Sequence, residues 1–286
     1  MPEPSPYTTL GKPFIELQSV DSTNNYAFKQ IHAGLAHHGT AYFTREQVAG
    51  KGQRGKAWSA AKDSSVILSI VIDPATLLLT QQFQLSACVA VSVCDFFRRY
   101  AGNSTRIKWP NDLYWQDRKA GGILIENIIG GQHSETGPST SLRVTGNSQM
   151  PTADTPPSSH WQWAVIGIGI NINQEIFTEE LKNPVSLKQI TGRNFNPVQM
   201  AKELCVALDN NFNHLVTSGF DAIYSSYLSF LYKKDELVKL KKGSRVFETR
   251  IKTVSPAGKL IVKVAIEEEF DFGEIEWIVP AVLPAK

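Results

Sequence analysis

Gly50 to Lys56 reads Gly-Lys-Gly-Gln-Arg-Gly-Lys, three glycines and three cations in seven residues. Glycines let a backbone close over a ligand. Lys51, Arg54 and Lys56 then offer charge to phosphate or carboxylate groups. The same residues would equally make a solvated surface turn, and residue types alone favour neither reading. The stretch also satisfies the G-x-G-x-x-G pattern of dinucleotide-binding folds, with Asp73 near the expected acidic position. Three features oppose that reading. Polar Glu46 and Gln47 stand where the strand should be buried, and Lys56 to Ser65 is a weak helix. The loop is cationic, whereas a dinucleotide turn relies on backbone N–H groups and a helix dipole.

Lys108-Trp109-Pro110-Asn111-Asp112 is followed by Arg118-Lys119-Ala120-Gly121-Gly122. A strand ending in Pro-Asn-Asp and a second one opening on a glycine pair make a hairpin. It serves as a plain hairpin with charged ends, or as a device that brings Lys108 and Lys119 near one carboxylate, Asp112. A lysine ammonium is a compact donor for a carboxylate–phosphate mixed anhydride, and Asp112 can help hold Mg²⁺. A third segment, Gly167-Ile-Gly169-Ile-Asn171-Ile-Asn173, sets glycines inside an apolar strand. Such glycines mark the close approach of a ligand or another backbone. Strand alternation puts Asn171 and Asn173 on one face. Tight packing accounts for the glycines but not for the asparagines. Asp21-Ser22-Thr23-Asn24-Asn25, taken alone, is a helix cap.

These residues need elements to position them. A helix is predicted from about Ser22 or Thr23 to His32, and strands over Ala41–Thr44, Ser64–Ile72, Thr105–Trp109, Gly122–Ile129 and Trp163–Ile172. Gln81–Tyr100, Pro197–Val216 and Phe220–Phe230 carry apolar residues at helical spacing. Residues 130–160 are rich in Ser, Thr, Gly and Pro, and read as a flexible insertion between paired strands. After Lys233 come short alternating runs (Glu236–Leu240, Arg245–Thr253, Lys259–Ile266, Glu274–Val279) separated by turn signals. They predict a small β-barrel or sandwich. The expected organisation is a tail over residues 1–13, a catalytic domain over 14–233 and a small β domain over 234–286.

The 286 residues carry a net charge of +2, with 42% hydrophobic and 20% charged residues. That balance gives no global case for nucleic acid or an anionic membrane. Three cysteines without framework or zinc-ligand spacing exclude a disulfide scaffold. No apolar signal core or long apolar run is present, so a cytoplasmic protein is expected.

Taken together and in order, the four segments resemble the biotin protein ligase family. The family's hallmarks stand here as Ser22-Thr23-Asn24, Gly50 to Trp58, Lys108 to Asp112 with Arg118 to Glu126, and Gly167 to Asn171. The resemblance implies an α+β fold: the mixed sheet with helices of the class II synthetase-like biotin–lipoate ligases, followed by an SH3-like domain. It also implies a two-step reaction. The biotin carboxylate attacks the α-phosphate of ATP, and a lysine of a biotin carboxyl carrier protein, such as that of acetyl-CoA carboxylase, then takes the acyl group. Biotin-side positions would be Ser22, Thr23, Asn24, Gln47, Gly50, Lys51, Gly52, Gln53, Lys119, Gly122 and Gly169. Nucleotide-side positions would be Arg54, Lys56, Trp58, Lys108, Asn111, Asp112 and Asn171. Lys119, Lys51 and Asp112 would carry the chemistry, with Asp112 toward Mg²⁺. The resemblance includes no nucleic-acid or membrane partner, and allows a homodimer through sheet edges.

The family loop commonly has Arg at the positions of Lys51, Gln53 and Lys56. Lysine keeps the charge but loses the bidentate fork. Gln53 loses the charge, which is expected to weaken retention of the adenylate. About 13 residues precede the matching region, too few for a helix-turn-helix domain, so a monofunctional enzyme is expected. A lipoate ligase or octanoyltransferase would share the fold, but should show an Arg-x-x-Gly-Gly-Gly-type loop, absent here. A non-enzymatic biotin sensor and a nicotinamide-dependent dehydrogenase are the readings from other classes.

Overall fold

The computed structural model describes residues 9–74, 77–130, 143–146, 160–178, 181–263 and 266–280. The chain opens with β1 (Phe14–Leu17), α1 (Thr23–His32) and β2 (Ala41–Thr44). The basic loop folds as two short strands, β3 (Gly50–Lys51) and β4 (Ala57–Trp58), before β5 (Ser65–Ile72). Then follow α2 (Gln82–Ala101), β6 (Thr105–Lys108), β7 (Asp112–Trp115), β8 (Arg118–Gly130), β9 (Arg143–Gly146) and β10 (His160–Asn171). Three helices come next: α3 (Leu187–Thr191), α4 (Pro197–Ser218) and α5 (Asp221–Ser229). Last are β11 (Leu237–Lys242), β12 (Arg245–Val254), β13 (Leu260–Lys263), β14 (Glu267–Phe270) and β15 (Glu276–Ile278).

The large sheet runs β1-β2-β5-β10-β8-β7-β6, with β9 paired to β8. Only β1–β2 is parallel among its pairs, so the sheet is mixed, as expected. Strand alternation sorts its residues. Val66, Leu68, Ile70 and Ile72 of β5, with Ile166, Ile168 and Ile170 of β10, enter the main core with α2 and α4. Val71 and Val165 point the other way, to the smaller cluster formed with Ala27 and Phe28 of α1. Burying each such aliphatic side chain stabilises the fold by about 1.5–3 kcal/mol.

The helix ends are written in the sequence. Asn196 caps α4, its side chain accepting from the N–H groups of Val198 and Gln199, and Pro197 takes the first helical turn. Helix α2 closes on Arg98 and Arg99, with Gly102 following at φ 75°. At the start of α1, Ser22 occupies the cap position but its side chain makes no capping bond. The first helical N–H, that of Thr23, donates instead to Gln47 Oε1 at 2.8 Å.

Several expectations need correction. The stretch read as a flexible insertion contains β9, whose Arg143–Gly146 pairs with Glu126–Ile129; β8 runs on past β7 and offers β9 that edge, while β10 stays paired along its other side to Gly130. The rest of that insertion, and most of the N-terminal tail, lie outside the described residues. The run Lys259–Ile266 is not one strand: β13 ends at Lys263, and the acidic Glu267–Phe270 forms β14 against it. The C-terminal sheet is antiparallel, in the order β14-β13-β12-β11-β15. No helix among the described residues is long and apolar enough to cross a membrane.

Candidate active site

A cavity of about 510 Å³ opens on the α1 face of the large sheet. Its floor is the alternate set of β5 and β10 residues, and the sequence dictates what fits there. At Gly167 an added Cβ would lie 2.4 Å from Asn24 Oδ1, and at Gly169 one would lie 2.5 Å from the Trp58 ring. The strand glycines thus admit two side chains to the sheet surface. The close approach expected of them is made by protein groups.

Over this floor lies a buried polar cluster. Asn24 Nδ2 donates to Glu126 Oε2 at 2.7 Å. Ser69 Oγ lies 2.6 Å from Asn24 Oδ1 and 2.7 Å from Thr23 Oγ1. Ser22, Thr23, Asn24 and Ser69 are all at most 3% exposed. Lys51 Nζ stands 3.9 Å from Glu126 Oε1. Such a donor–acceptor set of hydroxyls and amides, backed by the Lys51–Glu126 pair and walled by Trp58, suits a small polar head on an apolar body.

The opposite side is cationic. The hairpin register pairs Lys108 with Asp112 across β6–β7, and Trp109–Pro110 is a cis peptide. Lys119 Nζ holds Asp112 Oδ1 at 2.7 Å. Arg54, Lys56 and Lys182 also line the cavity. Burial pushes the Lys108 ammonium down to about 8, with Lys119 and Lys56 pushing the same way and Asp112 opposing. The basic loop is latched over the site by Gln53, whose Nε2 donates to Asn111 Oδ1 at 2.5 Å and to Ile123 O at 2.8 Å. Its tip is a left-handed pair, Arg54 at φ 57° and Gly55 at φ 74°.

Residues 16–137 match the model of the biotin/lipoate A/B protein ligase family. The likeness to that family model thus lies in the first half of the chain. It is 26% identical over 217 residues to the bifunctional ligase/repressor BirA of Bacillus spizizenii, covering 75% of this chain and 58% of that protein. It is 27% identical over 254 residues to the biotin–[acetyl-CoA-carboxylase] ligase of Paracoccus denitrificans, covering 86% and 92%. This chain thus spans under three fifths of the length of the Bacillus relative. The biotin protein ligase of Aquifex aeolicus, solved in complex with biotin and ATP, shares the fold with a TM-score of 0.69 at 21% identity, covering 93% of this chain and 98% of that one.

Against this family pattern, most of the residues singled out in the sequence line the one cavity. These include Thr23, Gln47, Lys51 and Gly169 on one side, and Arg54, Lys56, Lys108, Asp112, Gly122 and Asn171 on the other. Two do not. Gly50 lines an adjoining cavity of about 550 Å³; a Cβ there would lie 2.2 Å from Gln47 Nε2, so this glycine serves packing. Asn111 is buried, turned to Gln53, and its Nδ2 has no partner among the described residues. Asn171 reaches the cavity wall while donating to Val185 O at 3.2 Å. Asn173 exchanges bonds with the Phe195 backbone and is structural.

Sequence reasoning missed Ser69, Tyr114, Lys182 and the C-terminal residues Phe272 and Trp277, and named Glu126 only as the end of a motif. Ser69 left a signal, being a lone hydroxyl inside the apolar run Val66–Ile72. Phe272 and Trp277 left none, because they reach the cavity only through tertiary packing.

Proposed function

We propose that this protein is an ATP-dependent biotin protein ligase. One observation carries the reading: a single cavity has a buried polar cluster on one side and a set of cations on the other, with the Lys119–Asp112 pair among the groups that line it. The ureido head of biotin fits Thr23, Asn24 and Gln47, with Ser69 behind them bonded to Thr23 and Asn24. Its apolar body fits the wall of Trp58 and the strand glycines. The nucleotide phosphates fit Lys108, Lys119, Arg54 and Lys56.

A carboxylate oxygen of biotin attacks the α-phosphorus of ATP, the bond to the bridging oxygen breaks, and pyrophosphate leaves. The carrier lysine amine then attacks the acyl carbon, AMP departs with its phosphate oxygen, and the amine loses a proton. Lys119 neutralises charge where carboxylate and α-phosphate meet. The closed loop excludes water from the mixed anhydride. No protein nucleophile is required; the three buried thiols, Cys88, Cys94 and Cys205, are each pushed up to about 12 by burial.

Among the described residues no three His, Cys, Asp or Glu side chains gather as a metal site. Asp112 and Glu276 line the cavity, and Asp112, paired with Lys119 on the cationic side, fits Mg²⁺ carried mainly by the nucleotide phosphates. Bound there, the ion would offset phosphate charge.

The test incubates the purified chain with ATP, Mg²⁺, labelled biotin and a biotin carboxyl carrier domain, alongside Lys119→Ala. ATP-dependent label on the carrier, reduced about 100-fold or more in the variant, is expected from the loss of one charge-stabilising donor. Label transferred from lipoate but not from biotin would move the chain to the other branch of its family.

A further inference from the structure

Lys108 ends β6 with its ammonium 5.2 Å from the centre of the Tyr114 ring and 5.4 Å from that of Trp277. Tyr114 belongs to the neighbouring strand β7, but Trp277 comes from β15 of the C-terminal sheet. Tyr232 bridges the two rings, 5.1 Å from Tyr114 and 5.8 Å from Trp277. It is itself fixed by donating its hydroxyl to Asp117 Oδ1 at 2.6 Å.

Ring faces hold a cation in place without neutralising it. No carboxylate lies within ion-pair distance of the Lys108 ammonium among the described residues, and nearby Asp112 is engaged by Lys119. Trp277 adds a second unmet donor: its Nε1 is buried and has no partner among the described residues, on a side chain that lines the same cavity. An ammonium and an indole N–H, from two different sheets, therefore line one cavity, and neither has a hydrogen-bond or ion-pair partner among the described residues. A half-buried cation left this way, in a cavity with other cations, calls for an anion. Lys56 and Lys119 act on the same locus, so the fitting anion is a polyanion with several oxygens rather than one carboxylate.

We propose that Trp277 is a positioning residue: it holds Lys108, and the pair forms a subsite for the phosphate chain of the nucleotide, so the C-terminal sheet completes the nucleotide site. That the polyanion belongs to a nucleotide rests on the ligase reading; that the subsite takes polyphosphate does not.

Inorganic pyrophosphate is titrated calorimetrically into the full chain and into Trp277→Leu, Trp277→Phe and Lys108→Met. Affinity is expected to fall about tenfold or more in Trp277→Leu and Lys108→Met, and about two- to fivefold in Trp277→Phe, which keeps a ring face and loses the N–H. In biotin-dependent ATP–pyrophosphate exchange, Trp277→Leu should raise the KM for ATP about tenfold. The KM for biotin should stay within about twofold. Equal pyrophosphate affinity in the wild type and Trp277→Leu overturns the proposal. So does a parallel rise of both KM values in Trp277→Phe, the mark of a residue that only supports the fold. If the chain binds pyrophosphate through Lys108 and Trp277 yet never activates biotin, this inference stands and the ligase reading falls.

Discussion

Gln53 latches the basic loop with an amide, donating from one nitrogen to Asn111 Oδ1 and to Ile123 O. The sequence shows that a charge is missing at this position, and that loss was expected to loosen the adenylate. The structure adds a compensation, since the two bonds fasten the loop to the hairpin and to β8. Each such bond contributes about 0.5–1.5 kcal/mol. Gln53→Ala should therefore increase the release of free acyl-adenylate by about tenfold, measured as adenylate in the filtrate of a reaction without carrier. Gln53→Glu should do worse, because its carboxylate would face two acceptor oxygens. Unchanged release in both variants would mean that the latch does not retain the intermediate. Lys108 gives a pH dependence of definite sign. Its ammonium is pushed down to about 8 by burial, so it is charged below that pH and loses its proton above. The KM for ATP should rise as pH passes upward through about 8, and Lys108→Met should flatten that limb. Much of this scale was legible: residue types named the cations and the polar head-binders. Their pairings were not, since Lys119–Asp112 and Gln53–Asn111 are set by register and loop closure.

Strands β5, β8 and β10 were legible because continuous β-branched runs can only be buried. Short strands were hidden for opposite reasons. Phe14–Leu17 is four residues long and finds its parallel partner only after the crossover that contains α1. Glu267–Phe270 is too acidic to look like a strand, yet its Glu267 faces Lys263 across the ladder. The glycines of β10 are the elements' link to chemistry. Gly169→Ala would drive a methyl into the Trp58 ring, and Gly167→Ala one into Asn24. Overpacking of this kind costs about 1–3 kcal/mol. The strand conformation itself tolerates alanine, so the sheet should persist while its occupants shift. Both variants are expected to keep their circular-dichroism spectrum and to raise the KM for biotin more than the KM for ATP. An effect confined to ATP would place the biotin head elsewhere.

At the scale of the molecule, a boundary near residue 233 follows from a change of texture in the sequence, but texture does not say whether two parts share a core. Here Leu240, Ile251, Val254, Leu260 and Phe270 of the C-terminal sheet belong to the same contiguous apolar cluster as β5, β10 and α2. Polar ties cross the same junction. Trp109 Nε1 donates to Gly258 O at 2.9 Å, and Tyr224 Oη to Val254 O at 2.6 Å. The pairing of the Ile107 backbone with Phe230 and Tyr232 carries the large sheet's edge strand up to the boundary itself. A seam this continuous should melt as one unit, so calorimetry is expected to show a single unfolding transition. Gly258 tests the seam. It sits at φ 91°, and a Cβ there would lie 2.6 Å from the Phe83 ring of α2. Gly258→Ala combines backbone strain with a clash and should cost about 1–3 kcal/mol. That lowers the single transition by roughly 2–12 °C. A variant that instead splits the melt in two, with the earlier step abolishing nucleotide binding, would show that the C-terminal sheet is a separable unit whose docking, and not its folding, completes the site.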